Sequence, residues 1–350
     1  MSIDPVAPAS VATVIVNFKT PDLTVECLRA LAADRADVPG LRAVVVDNAS
    51  ADGSAEKLES AILDPALAPW VEFIPLDLNG GFGWGNNQAM LRLMQSSRPP
   101  EFIHLLNPDA VIEPGAVSKL LALLQSRPRV AAAGSQLLEC DGRLAGSAFR
   151  FPTIAREFLR GSNTAALGRL LGIAETVIES DRAIPAEWVT GASVMFRTEA
   201  LRETGLFDDG FFLYFEEIEL MWRLRRSGWD IWYEPGSRVR HIGGAATGIA
   251  SGGEAARAPR PGYWFQSRRR LFTLLYGANR ARLAGLAWLL GNLFWRLRRA
   301  IGSGNPDRDV PGERKALLAH GLSPDARDLT PAVVAWDSPP GQPPAWSASE

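Results

Sequence analysis

The order of apolar runs in the first third of the chain constrains the fold more than any other feature. VATVIVNF, RAVVVDN, WVEFIPL and FIHLLN are short and rich in valine and isoleucine, and between them lie PDLTVECLRALAA, SAEKLESAI and WGNNQAMLRLM, whose apolar residues recur at helical spacing. Continuously apolar strands are buried on both faces, and strands separated by helices pair in parallel. The pattern predicts an α/β chain with a mostly parallel central sheet covered by helices on both faces. Ligands of such sheets lie beyond the carboxyl ends of the strands. Asn17, Asp47, Asn48, Asn79, Asn107 and Asp109 fall at those ends, so four strand ends converge on one crevice.

Beyond Pro114 the pattern predicts a helix, the strand VAAAGSQLL, and an irregular connection from about Gly142 to Ala186 that shapes the mouth of the site. EWVTGASVMFR and DIWYEP read as strands, and the glycine-rich GGAATGIASGG as a mobile lid. From Tyr263 to Arg299 the chain is helical, apolar and studded with arginine, and no acidic residue occurs between Ala255 and Pro306. Its longest uncharged piece, LAGLAWLLGNLFW, is shorter than the roughly 20 apolar residues a membrane-spanning helix needs. Tryptophans flanked by arginines suit a helix lying on an anionic lipid surface; packing on the domain, or a homodimer contact, are the competing readings. The expected organisation is an N-terminal tail (1–10), a catalytic domain (11–250) with a nucleotide-binding half (11–135) and an acceptor-binding half (136–250), a basic helical extension (255–302), and a Pro- and Ser-rich tail (303–350) without packed structure.

The chain has 350 residues and a net charge of -2, large enough for a sizeable core and too balanced for a general nucleic-acid binder. Two cysteines give neither a disulfide framework nor a zinc spacing. The N-terminus has no basic region ahead of its apolar run, so a cytoplasmic location, peripheral on the inner face of the membrane, is expected.

The chemistry concentrates in a few segments. Glu216, Glu217 and Glu219 sit among Phe207, Phe211, Phe212, Tyr214, Phe215 and Trp222, where desolvation would raise a carboxylate toward the pKa of a working base. The alternative is an ordinary helix start, with Glu219 paired to Arg223 one turn on. Asp47 and Asn48 end a strand before the turn ASADGS. An aspartate there can accept from the ring N–H of uracil or thymine, with the Ser50 to Ser54 amides offered to phosphate, or it can serve an Asx turn and helix cap. Asn79, Gly80 and Gly81 open a glycine-rich loop that lets backbone pass close to a bulky ligand, without the order of a Walker or dinucleotide loop. In LNPDA, the carboxylate of Asp109, held by the turn of Pro108, can bind a divalent cation that grips a diphosphate. Asn107 is its neutral neighbour, and His241 could complete the shell or be structural.

The ordered series VNF, DNASADGS, NGGFGWGNN, LNPDA, WVTGASVMFR, FDDGFFLYFEEIEL and HIGG resembles the family two inverting glycosyltransferases of the GT-A fold, most closely their rhamnosyltransferase-like branch. The resemblance runs from about Val11 to Gly244. It implies a GT-A type sheet with the C-terminal helices as an extension. It places Asp47 at the base-binding aspartate, Asn17, Asn48, Asn79, Gly80, Gly81 and Asn107 at the nucleotide-sugar site, and Asp109 with His241 at a Mg or Mn ion. The family's Asp-x-Asp reads Asn-Pro-Asp here, so the first carboxylate is missing. Trp188, Gly191 and Ala192 match the segment lining the sugars. FEEIEL stands where the family shows Glu-Asp-x-Asp, which makes Glu217 the catalytic base, with Glu216, Glu219 and Arg223 beside it and Phe212, Tyr214 and Trp188 as aromatic walls. The implied reaction moves a sugar, foremost rhamnose from dTDP-rhamnose, onto a lipid-linked or surface glycan. A UDP-sugar donor, or a non-catalytic sugar-binding module, are the alternatives.

Overall fold

The computed structural model describes residues 10–244, 259–302, 310–321 and 329–349. Strands β1 (Val11–Asn17), β2 (Arg42–Asp47), β3 (Val71–Pro75) and β4 (Phe102–Leu106) form a parallel array in the order β3-β2-β1-β4, as the apolar runs predict. Alternate side chains serve opposite faces of this sheet. Val11, Ile15, Ala43 and Val45 join one core with α1 (Pro21–Asp34), α2 (Ser54–Ile62) and, further along, α4 (Ala116–Ser126). Ala12, Val14, Val44 and Val46 join the other core with α3 (Phe82–Met94), α7 (Thr198–Thr204) and α8 (Glu216–Arg226). Each fully buried valine or isoleucine contributes about 1.5–3 kcal/mol, which is why a strand apolar on both faces ends up inside.

The other half of the sheet mixes directions. Beyond β4 come β11 (Ser193–Arg197), β6 (Val130–Leu138), β12 (Asp230–His241) and β5 (Ala110–Ile112), with β9 (Ile184–Ala186) also on β12. β11 is antiparallel to β4 and β6, and β5 and β9 are antiparallel to β12. Two registers matter for the site. Ser193 pairs with Leu106, and the N–H of Asn107 donates to Ala192 at 2.9 Å, so the LNPDA turn lies beside Gly191 and Ala192. His241 pairs with Ala110, which sets the imidazole next to Asp109.

A small antiparallel sheet, β10 (Trp188–Val189), β7 (Ala148–Phe149) and β8 (Val177–Ile178), together with α5 (Ile154–Ser162) and α6 (Ala165–Leu170), occupies the irregular connection. It was expected to shape the mouth of the crevice. Instead α5 docks the C-terminal helix: α10 (Ala278–Ala300) follows α9 (Gly262–Tyr276) and crosses α5 at two glycines. A Cβ on Gly291 would lie 2.1 Å from the Phe158 carbonyl oxygen, and one on Gly161 would lie 2.2 Å from that of Trp288. Trp288 and Trp295, the residues read as lipid-facing anchors, are buried, at 4% and 1% exposure. The outward face of α10 is instead a row of leucines. Among the described residues no helix is long and apolar enough to cross a membrane.

The tail departs from its expected lack of structure. Beyond α11 (Glu313–Gly321), residues 329–349 pack on the domain: Leu206 donates its N–H to Val334 at 2.8 Å, Trp84 Nε1 to Gln342 at 2.8 Å, and Trp346 Nε1 to Gly80 at 3.1 Å. Val334 and Trp336 supply apolar surface to the α3-side core. The average composition, dominated by proline and serine, conceals these few large side chains. The GGAATGIASGG segment lies beyond Gly244, outside the described residues, apart from its first two glycines.

Candidate active site

A cavity of about 580 Å³ opens at the carboxyl ends of the parallel strands. Asn48, Asn79, Gly81, Asn107, Asp109, Gly191, Ala192, Glu216, Glu217 and His241 all line it, so residues scattered over the sequence meet in one place. Asn17, Asp47, Gly80, Trp188, Glu219 and Arg223 are not among its lining residues.

Asn17 and Asp47 form the layer beneath. The registers of β1 and β2 place them side by side; Asn17 Nδ2 donates to Asp47 Oδ1 at 2.7 Å, and Ser50 donates its hydroxyl at 2.6 Å and its N–H at 3.1 Å to the same carboxylate. The turn amides expected to face phosphate are engaged at both ends, that of Ser50 by Asp47 and that of Ser54 by Asp52 at 3.1 Å. Asn48 reaches the opposite way, donating at 3.0 Å to both Asn79 Oδ1 and the carbonyl of Gly81. It therefore fixes the glycine loop against the sheet. Gly81 has φ 88°, and a Cβ there would meet the carbonyl oxygen of Phe212 at 1.7 Å. Only glycine allows this contact between the glycine loop and the aromatic segment.

The aromatic segment carries the carboxylates. Tyr214 and Phe215 have φ 70° and 74°, a left-handed conformation that costs a bulky residue about 1–3 kcal/mol and is held by surrounding packing. This turn starts α8 at Glu216, with Glu216 against Gly83 and Glu217 against Gly191. Burial raises Glu217 to about 7, and burial together with the charge of Glu217 raises Glu216 well above the usual carboxylate range. Each keeps a buried Oε2 without a partner among the described residues. Glu216 is 2% exposed whereas Glu217 is half-buried, so Glu217 is the accessible member of the pair.

The neighbouring acids have other tasks. Glu219 accepts from Arg223 Nε at 2.7 Å and 2.9 Å, and Arg223 donates onward to the carbonyls of Thr204 and Leu206. This is the helix pairing offered as the plain reading of the sequence. Asp208 is held by Arg270 at 2.6 Å. Trp188 stacks on Phe149 with ring centroids 4.2 Å apart and its indole N–H on the Arg150 carbonyl, so it supports the small sheet and is not a cavity wall. Phe18, Phe82 and Tyr263 take that part. In the sequence Tyr263 marks only the start of a basic helix; its contact with Phe212, at 5.3 Å between centroids, is set by the packing of α9. Asp209, to which no motif in the sequence assigns a role, is buried and raised to about 7 while accepting from Asn87 at 2.7 Å.

At the opposite wall, His241 Nε2 lies 3.1 Å from Asp109 Oδ1 and 3.2 Å from Asn107 Nδ2. One proton on Nε2 can serve Asp109 or be absent to accept from Asn107, but not both. The Oδ1 of Asn107 is buried and has no partner among the described residues. A carboxylate, an imidazole nitrogen and an amide oxygen converging in this way fit the donor set of a divalent cation. Among the described residues no group of three or more His, Cys, Asp or Glu side chains could hold one, so its remaining ligands would have to come from a bound diphosphate or water.

Known proteins match this architecture. Over 238 residues the chain is 26% identical to the N-acetylglucosaminyl-diphospho-decaprenol L-rhamnosyltransferase of Mycobacterium tuberculosis, covering 65% of this chain and 74% of that protein. It is 25% identical over 168 residues to rhamnosyltransferase WbbL of Escherichia coli K12, covering 46% of this chain and 60% of WbbL. The fold superposes on the mannosyltransferase PcManGT of Pyrobaculum calidifontis, solved with GDP-Man and Mn2+, with a TM-score of 0.54 at 16% identity, over 91% of this chain and 89% of that one. It also superposes on GalNAc-T7, solved with UDP, GalNAc and Mn2+, with a TM-score of 0.53 at 15% identity, over 90% of this chain and 55% of that one. The family model "Glycosyltransferase like family 2" matches residues 8–271, and the chain belongs to that family as a glycosyltransferase of GT-A type.

Proposed function

We propose that the enzyme transfers rhamnose from dTDP-rhamnose, with inversion, to a sugar hydroxyl of a lipid-linked glycan. The observation that carries this reading is the position of Glu217: a half-buried carboxylate raised to about 7, in the same cavity as the Asn107, Asp109 and His241 cluster. Both relatives named above are rhamnosyltransferases, and the name of one specifies a diphosphate-linked lipid acceptor. A UDP-linked hexose or N-acetylhexosamine is the competing donor, since such choices rest on a few pocket contacts.

In the reaction the acceptor hydroxyl attacks the anomeric carbon from the face opposite the diphosphate. The new C–O bond forms as the bond to the diphosphate breaks, and the hydroxyl proton passes to Glu217. Its buried neighbour Glu216, raised well above the usual carboxylate range by burial and by the charge of Glu217, favours its protonated form and so spares Glu217 a second negative charge. Asn48 and Asn79 hold the glycine loop against the donor. Asp109, His241 and Asn107 would hold a Mg or Mn ion, which when bound offsets the charge of the departing diphosphate.

The outward row on α10 extends this reading to the membrane surface, where the acceptor's lipid resides, with homodimerisation the competing use of the face. Purified protein given labelled dTDP-rhamnose and a glycolipid acceptor should transfer rhamnose. Glu217→Gln should lower turnover about a thousandfold while donor binding persists. Exclusive use of a UDP-sugar would defeat the donor assignment, and unchanged turnover in the variant would defeat the base.

A further inference from the structure

Arg160, Arg260 and Arg268 gather around Glu157 and Glu313 next to the cavity. Arg160 holds both carboxylates, at 3.1 Å and 2.9 Å, and Arg268 pairs with Glu157. Arg260 reaches Glu313 only at 3.8 Å. Guanidinium groups stay charged in proteins, so the cluster keeps a surplus positive charge even with both glutamates ionised. Buried charge of one sign is costly unless a counter-charge arrives.

The surplus is localised at Arg260. Its Nε is buried and has no hydrogen-bond partner among the described residues, while a third of its side chain remains open to solvent. The Trp264 ring orients it, with the Arg260 guanidinium 4.5 Å and the Arg160 guanidinium 5.6 Å from ring centroids on that residue. Arg260 also lies within electrostatic range of the Tyr214 hydroxyl. Tyr214 and Tyr263, stacked with centroids 6.2 Å apart, both line the cavity. The cation therefore stands just behind the aromatic wall that Tyr214 and Tyr263 give the cavity.

We propose that Arg260, backed by Arg160, is an anion site that binds the phosphate or diphosphate joining the acceptor sugar to its carrier. The inference rests on the acceptor class proposed above. The donor's diphosphate belongs with Asp109 and His241, so a second cationic position, behind Tyr214 and Tyr263, answers to the second substrate. Only a planar, permanently charged fork offers paired N–H groups to phosphate oxygens. An anionic phospholipid headgroup has the same chemistry, and the test separates the two sources.

Two soluble acceptors bearing the same sugar, one on a short alkyl diphosphate and one a neutral alkyl glycoside, are compared by kcat/KM in wild type, R260Q and R260K. Wild type should prefer the diphosphate acceptor. R260Q should lower the ratio between the two acceptors about tenfold or more through KM, and R260K, which keeps the charge and loses the fork, should fall between. An unchanged ratio, or a wild type indifferent to the diphosphate, overturns the site. A defect of R260Q that emerges only when phosphatidylglycerol vesicles are added assigns the anion to the lipid surface and overturns the acceptor role. Transfer to neither acceptor, with dTDP-rhamnose binding intact, overturns the underlying acceptor class. A changed class and a failed anion site thus give different results.

Discussion

At the scale of single residues, the site turns on where a proton can sit. Glu217 carries its proton below about 7 and cannot then accept one from the acceptor. Turnover should therefore rise with pH through about 7 and level off above it, and Glu217→Gln should abolish the rise along with most of the rate; a pH profile of initial rates from 5 to 9 reads this directly. The same raised values act on stability with the opposite sign. The unfolded chain releases these protons in the ordinary carboxylate range, whereas the folded chain keeps them to about 7 at Glu217 and well above that ordinary range at Glu216. Their contribution to folding is full in acid and is lost as pH climbs through those values. Gly81 bears the second residue-scale prediction. With φ 88° and the Phe212 carbonyl where a side chain would go, Gly81→Ala must push the glycine loop off the aromatic segment. A destabilisation of about 1–3 kcal/mol in thermal melts, with a raised KM for donor, is the expected outcome. An unchanged donor KM would show that the loop does not position the nucleotide sugar.

At the scale of elements, what could be read in advance follows from how local the cause is. The strand runs and the helix around Glu216 were legible because burial on two faces and desolvation among aromatics are written in neighbouring residues. The grouping of Asn107, Asp109 and His241 could be offered from residue chemistry only with a structural role for His241 left open, because their meeting depends on β5 pairing with the end of β12. Trp188 was misplaced for the same reason: its ring serves Phe149 through the pairing of β7 and β10, a contact that no spacing in the sequence announces. The C-terminal stretch was missed most completely, and it bears the element-scale prediction. Trp346 donates to Gly80 at 3.1 Å and packs edge-on to Phe212 at 5.1 Å, and Gln88 accepts from Gly341 at 2.7 Å. The stretch thus straps the glycine loop to the aromatic segment from outside the cavity. Trp346→Ala should raise the donor KM several-fold while leaving the apparent pKa of the rate profile near 7, because Glu217 is untouched. A shift of that pKa instead would mean that the strap acts on the base.

At the scale of the whole molecule, catalytic domain and helical extension meet through glycines, and the meeting decides which face of α10 is left outside. Gly161 and Gly291 let α5 and α10 approach until backbone meets backbone, with Trp288 and Trp295 turned inward. The residues left outside include Leu283, Leu286, Leu290, Leu293, Leu297 and Ile301, one helical face running the length of the element, with Arg280 and Arg296 exposed at its edges. A leucine fully removed from water is worth about 1.5–3 kcal/mol, and an arginine near an anionic surface about 1 kcal/mol. Even partial insertion of such a row therefore suffices for reversible attachment, weakened by salt through its charged part. Co-sedimentation with phosphatidylglycerol vesicles should show binding that falls as salt rises. The double variant Leu290→Glu with Leu297→Glu should reduce it at least about tenfold without lowering the melting temperature, because neither side chain contributes to the packed side of the helix. Phosphatidylcholine vesicles should bind less, since the arginines then lack a counter-charge. If instead the protein ignores vesicles of either kind and sediments as a dimer that the double variant dissociates, the row is a contact between two copies, and the proposed lipid-linked acceptor would have to reach the cavity without help from α10.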